Sequence, residues 1–350
     1  MRITQSMVMN SYTSRLGKVF ESFDHASQQV ITKRNFLSAT EDPASTARAY
    51  QLRKNFQQNN DYINNVQDVI DTMDSIDASM MVISNMAESA HVTLTAGRNG
   101  VWSLEDRTIF ANELRTMQRQ AVDALNAKFD DKFLFGGSST KTLPFELTTD
   151  TSTTPPKQVL TFRGLDITDP ANQAKLQEFA DEKIYVDMGF GLQVDYIDPS
   201  TGLAAAPGVD GVPVVKDSSA FNTSIPGIKF LGFGENPEDN LILNMGLIAD
   251  ELEKEPLDYD KTTELWEKLT GQRQQILNAV TKVGADYNFL QKQKSVLEVN
   301  SDNLNNKILN VEFMDMEVAI NNLKMADYVY RSALEVGTKI LTPSFIDFMS

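Results

Sequence analysis

Few residues in this chain are of types that do chemistry, and their spacing assembles no reaction centre. His25 and His91 stand alone in helical stretches, with no His-Glu-x-x-His arrangement around either, and they read as ordinary helix-surface residues. The adjacent acids Glu41 and Asp42 have the types for paired carboxylate catalysis. Asp42 followed by Pro43 fits a helix start better, because negative charge is favourable at a helix N-terminus. Gly189-Phe190-Gly191 resembles part of a dinucleotide fingerprint, but it lies between strand-like runs instead of opening a helix, so a tight turn is expected. No Gly-x-x-x-x-Gly-Lys-Ser/Thr loop offers a phosphate cradle. Trp102 and Trp266 sit near helix ends as packing anchors, and the Ser/Thr-rich stretch from Ser138 to Thr154 is a solvated loop or a glycan-accepting surface. The chain has no cysteine, which excludes disulfides, thiol catalysis and thiolate metal sites. No catalytic, cofactor-binding or metal-binding residues are therefore expected, and the chain is not expected to be an enzyme.

Composition narrows the partners. At 350 residues there is room for two or three domains. A net charge of -16 leaves no basic footprint for nucleic acid and disfavours an anionic membrane surface. No run approaches the roughly 20 apolar residues of a membrane span, so membrane insertion is not expected. Met1-Arg2-Ile3-Thr4-Gln5-Ser6 has no apolar core or cleavage site of a secretory signal. The lack of cysteine suits a chain that crosses a membrane unfolded, and equally a cytosolic protein that happens to have none.

The elements that hold these residues follow from where the helix breakers lie. Ten of the twelve prolines fall between Pro144 and Pro256, all but Pro43 and Pro343, and twelve of the eighteen glycines fall between Gly136 and Gly246. The flanks are long helices. Met9, Tyr12, Leu16, Val19, Phe23, Ala26 and Val30 follow a seven-residue repeat, and residues 35–42 form a non-helical link. From Asp42-Pro43 an apolar stripe runs through Leu52, Ile63, Ile70, Met80 and Ala87 towards Gly97, about fifty residues and roughly 75 Å of helix. Ser103 to Asp106 resembles a capping box that opens a second, antiparallel helix to about Asp130, with Leu114, Met117, Ala121 and Leu125 inward. Phe133-Leu134-Phe135-Gly136-Gly137 ends it. Val159–Phe162, Ile184–Val186 and Leu192–Tyr196 read as short strands, and Leu241–Glu253 as a short helix.

From about Lys261 to Leu341 the heptad returns, sparse around Lys294 and Ser301, with an apolar face that widens after Val318. Asn300, Asn303, Asn305, Asn306 and Asn310 would fix register if any lay in the seam. The fold class is thus mainly α with an inserted β-rich domain, on a long antiparallel helical coiled-coil shaft made from the N- and C-terminal segments. Three parts are expected: residues 1–40 with 312–350, a terminal helical assembly domain; 41–137 with 255–311, the long-helix shaft; and 138–254, an inserted surface domain.

Particular segments resemble a known family. Thr40-Glu41-Asp42-Pro43-Ala44 resembles the Asp-Asp-Pro-Ala segment that opens the long helix of bacterial flagellins. Val283-Gly284-Ala285-Asp286-Tyr287-Asn288 is similar to their return helix, and Asn310 to Glu317 to the start of their C-terminal helix. Met1-Arg2-Ile3-Thr4, the Phe133–Gly137 exit and Pro343-Ser344-Phe345-Ile346-Asp347-Phe348-Met349 are more similar to the hook–filament junction members (the third hook-associated protein) than to filament flagellins. Gln29 to Asn35 departs from the family's Ser-Thr-Gly-Lys turn by lacking its glycine.

The resemblance implies a structural adaptor of the flagellum, outside the cell, exported unfolded through the flagellar type III channel without a cleaved signal. It implies self-association in a short helical layer between a neighbouring hook-associated protein and flagellin, and an export chaperone on the C-terminal helices. Met9, Leu16, Val19 and Phe23 are expected to face Val318, Met325, Val329 and Val336 of adjacent subunits. The alternatives are a filament flagellin, a secreted enzyme carried on a helical stalk, and an unrelated coiled-coil spacer.

Overall fold

A computed structural model describes residues 5–98, 103–150, 157–198, 211–216 and 219–341. The opening Met1–Thr4, Trp102 and the Pro343–Met349 tail lie outside the described residues. The elements run α1 (Gln5–Thr32), α2 (Pro43–Arg98), α3 (Leu104–Leu125), β1 (Lys128–Phe129), β2 (Lys132–Phe133), β3 (Phe145–Asp150), β4 (Lys157–Phe162), β5 (Leu165–Asp166) and α4 (Gln173–Ala180). They continue with β6 (Tyr185–Val186), β7 (Val194–Ile197), β8 (Val212–Val215), β9 (Phe221–Asn222), α5 (Gly227–Leu231), α6 (Leu241–Leu252), α7 (Tyr259–Glu312) and α8 (Met316–Leu341). The expected mainly helical fold with small antiparallel sheets between long terminal helices is what forms. Two compact units divide the chain, residues 1–60 with 298–350 and residues 61–297.

The 61–297 unit contains the large core. Val66, Ile70, Met73, Met80, Ile83 and Ala87 of α2 are buried in it with Ile276, Val283, Leu290 and Leu297 of α7, so the stripe read from the sequence is the buried one. The two helices run antiparallel, with Lys294 Nζ donating to Gln67 Oε1 (2.8 Å) where the apolar repeat thins and His91 stacked on Trp266 further along. Ser103 caps α3 as expected: its hydroxyl accepts from Asp106 N–H, and Asp106 accepts from Ser103 N–H in return. The helix stops at Leu125, short of the expected Asp130. Asn126 leaves it to bracket the backbone of Phe145, donating to its carbonyl (2.8 Å) and accepting from its N–H (3.0 Å), which ties β3 to the helix end.

The three-stranded sheet β3-β4-β5 is antiparallel, with Phe145 opposite Phe162 and Leu147 opposite Leu160. Its two-residue turn, Arg163-Gly164, holds both residues at positive φ, the geometry that matches the twist of a tight hairpin. The predicted strands at 159–162 and 184–186 form as β4 and β6, and the one at 192–196 as β7. Gly189 and Gly191 sit at φ 83° and 76°, the turn expected of them. The helices α4 and α5 were not anticipated.

The Phe133–Gly137 exit is built around Arg163, which donates to the Gly136 carbonyl and to Glu182 and lies over the Phe179 ring at 4.5 Å. Gly137 needs its lack of a side chain: it sits at φ 64°, and a Cβ there would come within 2.6 Å of the Arg163 guanidinium. Burial by itself would raise the Glu182 carboxyl, but hydrogen bonds from Arg163 and Ser138 outweigh it and hold the group below the usual carboxylate range.

Candidate functional site

In the unit formed by residues 1–60 and 298–350, chemistry gives way to surface. Among the described residues no group of three or more His, Asp or Glu could hold a metal, and no helix is long and apolar enough to cross a membrane. His25 lies at the surface, 3.8 Å from Glu41. Asp42 does what its position predicts: its side chain accepts from Ser45 N–H (3.0 Å) at the start of α2, and hydrogen bonds from Ser45 keep its carboxyl low. All five asparagines from Asn300 to Asn310 are exposed and so set no register.

What the unit builds is a helix pair. Helices α1 and α8 pack antiparallel, as the order of their contacts shows. Tyr12 Oη donates to the Ala333 carbonyl (3.0 Å), Phe20 meets Tyr330 at 5.7 Å, and Phe23 stacks on Tyr330 at 5.6 Å with the planes 13° apart. At Gly337 the helices approach so closely that a Cβ would strike the Tyr12 hydroxyl. Ala26 and Ala319 are buried, and small residues let the backbones come together here.

The pair is held by the link and the helix break beside it. Thr32 ends α1, and Lys33 takes a left-handed conformation (φ 60°) that reverses the chain. Asn35 N–H then donates to the Glu312 carbonyl (2.8 Å), the Asn35 side-chain amide donates to the carbonyls of Val311 and Phe313, and Met314 N–H donates back to the Lys33 carbonyl (3.0 Å). Arg34 and Phe313 make a β-bridge. This bracket interrupts the last helix at residues 313–315, so the continuous run expected from Lys261 to Leu341 is two helices, α7 and α8. Arg53 of α2 pairs with the buried Glu312 carboxylate. Its hydrogen bonds hold that carboxyl below the ordinary glutamate value, against the opposing effect of burial.

The structure places the expected interface residues in two groups. Leu16, Val19 and Phe23 are half-buried, facing the chain's own α8. Met9, Val318, Met325, Val329 and Val336 are exposed, because the α8 residues that meet α1 in the contacts above, Tyr330, Ala333 and Gly337, are offset from that stripe. Leu16, Val19, Val329 and Val336 come together along one open apolar groove of about 700 Å³, whose single charged lining residue is Arg15. Among the described residues a dozen large apolar side chains stay exposed on the pair, five on α1 and seven on α8. Sequence reasoning missed the bracket. Asn35 lies 276 positions from Val311 and Arg53 lies 259 from Glu312, and nothing local marks them as partners.

Residues 3–140 match the family model of the bacterial flagellin N-terminal helical region, which bears out the resemblance read from Thr40 to Ala44. No curated protein matches the chain in sequence. A solved structure shares its fold. A protein from Vibrio parahaemolyticus, whose assignment as a flagellar hook-associated protein is itself an inference, aligns at TM-score 0.57 and 16% identity, over 78% of this chain and 100% of that one. FlgL from Bacillus cereus aligns at TM-score 0.48 and 14% identity, over 74% of this chain and 99% of that one. The flagellar hook associated protein-3 from Legionella pneumophila aligns at TM-score 0.47 and 13% identity, over 75% and 98%. At 16% identity the likeness to the Vibrio parahaemolyticus protein is one of fold.

Proposed function

We propose that this chain is a structural subunit of the bacterial flagellum that joins the hook-associated layer to the filament, without enzymatic activity. The observation that carries the proposal is the apolar surface left open on the α1–α8 pair, on a chain whose N-terminal region matches the flagellin type. A soluble monomer rarely leaves so much contiguous apolar surface uncovered without a partner for it. Residues 1–40 with 312–350 serve assembly, 41–137 with 255–311 form the long-helix part, and 138–254 are displayed at the surface.

The subunit is exported unfolded through the flagellar channel, without a cleaved signal, and escorted by a chaperone on its C-terminal helices. It then associates with copies of itself in a short helical layer, between a neighbouring hook-associated protein on one side and flagellin on the other. Met9, Val318, Met325, Val329 and Val336 supply the contacts to neighbouring subunits, with Leu16 and Val19 lining the groove that Val329 and Val336 share and Phe23 stacked on Tyr330. Burying an exposed side chain of this size stabilises by about 1.5–3 kcal/mol. A dozen per subunit provides a driving force comparable to or larger than the roughly 4–15 kcal/mol that association costs in lost freedom.

Val329→Asp tests this. Val329 is exposed in the subunit, so the variant should keep the wild-type circular dichroism and melting curve yet fail to join hook ends. Normal incorporation of that variant would remove the proposed packing.

A further inference from the structure

We infer that the methionines of the terminal helix pair form an oxidation-sensitive site, and that peroxide acting on the free subunit blocks its assembly. The inference rests on the assembly reading above. The chain has fourteen methionines and no cysteine, so its thioethers are the only sulfur that an oxidant can reach. Among the described methionines four are closed, four are open, and Met86, Met117, Met314 and Met316 lie between. Met73, Met80, Met188 and Met245 are closed within the core of the 61–297 unit at 1% exposure or less, whereas Met7, Met9 and Met325 are open at 63%, 47% and 65%. Those three lie on α1 and α8, the helices that carry the open apolar surface, and Met7 lines the groove shared with Val329 and Val336. Met81 on α2 is also open (43%) but lies in the other unit, which makes it an internal control.

The chemistry needs only hydrogen peroxide. The thioether sulfur attacks one peroxide oxygen and the O–O bond breaks. An S–O bond forms and water leaves, so sulfur is oxidised by two electrons and peroxide is reduced. The product is a polar, chiral sulfoxide where a flexible apolar side chain stood, a change that disrupts methionine-lined interfaces and is reversed by a pair of reductases, one for each epimer. Thioethers buried by neighbouring subunits are protected, so the sensitivity belongs to the unassembled chain.

The test treats the full-length monomer with hydrogen peroxide, maps sulfoxides by peptide mass spectrometry, and measures addition to isolated hook ends. The expected result is sulfoxide at Met7, Met9, Met325 and Met81 but not at Met73 or Met80, with at least a tenfold loss of addition that the two reductases restore. The triple variant Met7→Leu, Met9→Leu, Met325→Leu is compared with its own untreated level of addition, which peroxide should leave unchanged although Met81 is still oxidised. Wild-type chain that is oxidised at the three positions and still adds would overturn the inference. So would a triple variant that loses addition after peroxide as the wild type does. Failure of the untreated wild type to add at all would overturn the assembly reading and this inference together, and so separates the two.

Discussion

Lys33 holds a backbone conformation that glycine adopts at no steric cost and that costs a residue with a Cβ about 1–2 kcal/mol. The departure visible in the sequence, a turn at Gln29–Asn35 with no glycine, therefore reappears as a strained position at the end of α1, where helices commonly stop on a left-handed residue. Lys33→Gly is expected to stabilise the 1–60/298–350 unit by about 0.5–1 kcal/mol, read as a higher urea midpoint with an unchanged slope.

The Arg53–Glu312 pair gives a pH dependence of definite sign. The folded pKa of Glu312 is depressed, so the pair's contribution is fully present above the unfolded glutamate value of about 4.3 and is lost as pH falls through the lower folded value. Arg53→Ala should cost about 1 kcal/mol at pH 7, below the roughly 1.5–3 kcal/mol of a charged hydrogen bond because the guanidinium is largely in water. Glu312→Gln should flatten the loss of stability below pH 4. An unchanged acid profile in that variant would show that the bracket is held by its backbone bonds alone. None of this was legible beforehand, because a salt bridge between residues 259 positions apart leaves no local pattern.

The elements were the legible scale wherever a long period or a cap governs them. The α2–α7 seam, the Ser103 capping box and the helix start at Asp42-Pro43 all form where the residue spacing put them. Two failures have physical causes. The apolar repeat does not show the break between α7 and α8, because Val311, Met314 and Val318 carry it straight through while the bracket comes from residues 33–35. Only the resemblance placed the start of a C-terminal helix at Asn310 to Glu317. Helix α4 was missed because its eight residues bury only Leu176 and Ala180, too few to show a period. The exit motif yields a sharp expectation: Gly137→Ala combines a left-handed backbone with a collision at Arg163 and should destabilise the 61–297 unit by about 2 kcal/mol. Among the described side chains, the only buried apolar ones on the terminal helices are Ala26 in α1 and Ala319 in α8. In the free subunit their amides should exchange far faster than those of α7 between Ile276 and Leu297, and become protected on assembly. Equal protection in the free chain would mean that the pair needs no neighbour.

For the molecule as a whole, the sequence pointed to a flagellar subunit through short motifs and an apolar excess at both termini. The described structure supplies the reason for the second: α1 and α8 meet along the Tyr12–Phe23 line and leave the Val318, Met325, Val329 and Val336 stripe open. Which neighbour covers that stripe was beyond sequence reasoning, because one chain shows a surface without its complement. The most direct test of the junction role is deletion of the gene, scored by electron microscopy of cell-attached hooks together with analysis of the protein released into the medium. The account predicts hooks without filaments and intact flagellin shed into the medium, since filament subunits would be made and exported with nothing to build on. Bare hooks with no flagellin in the medium would make this chain the filament subunit instead, and normal filaments would contradict a junction role altogether.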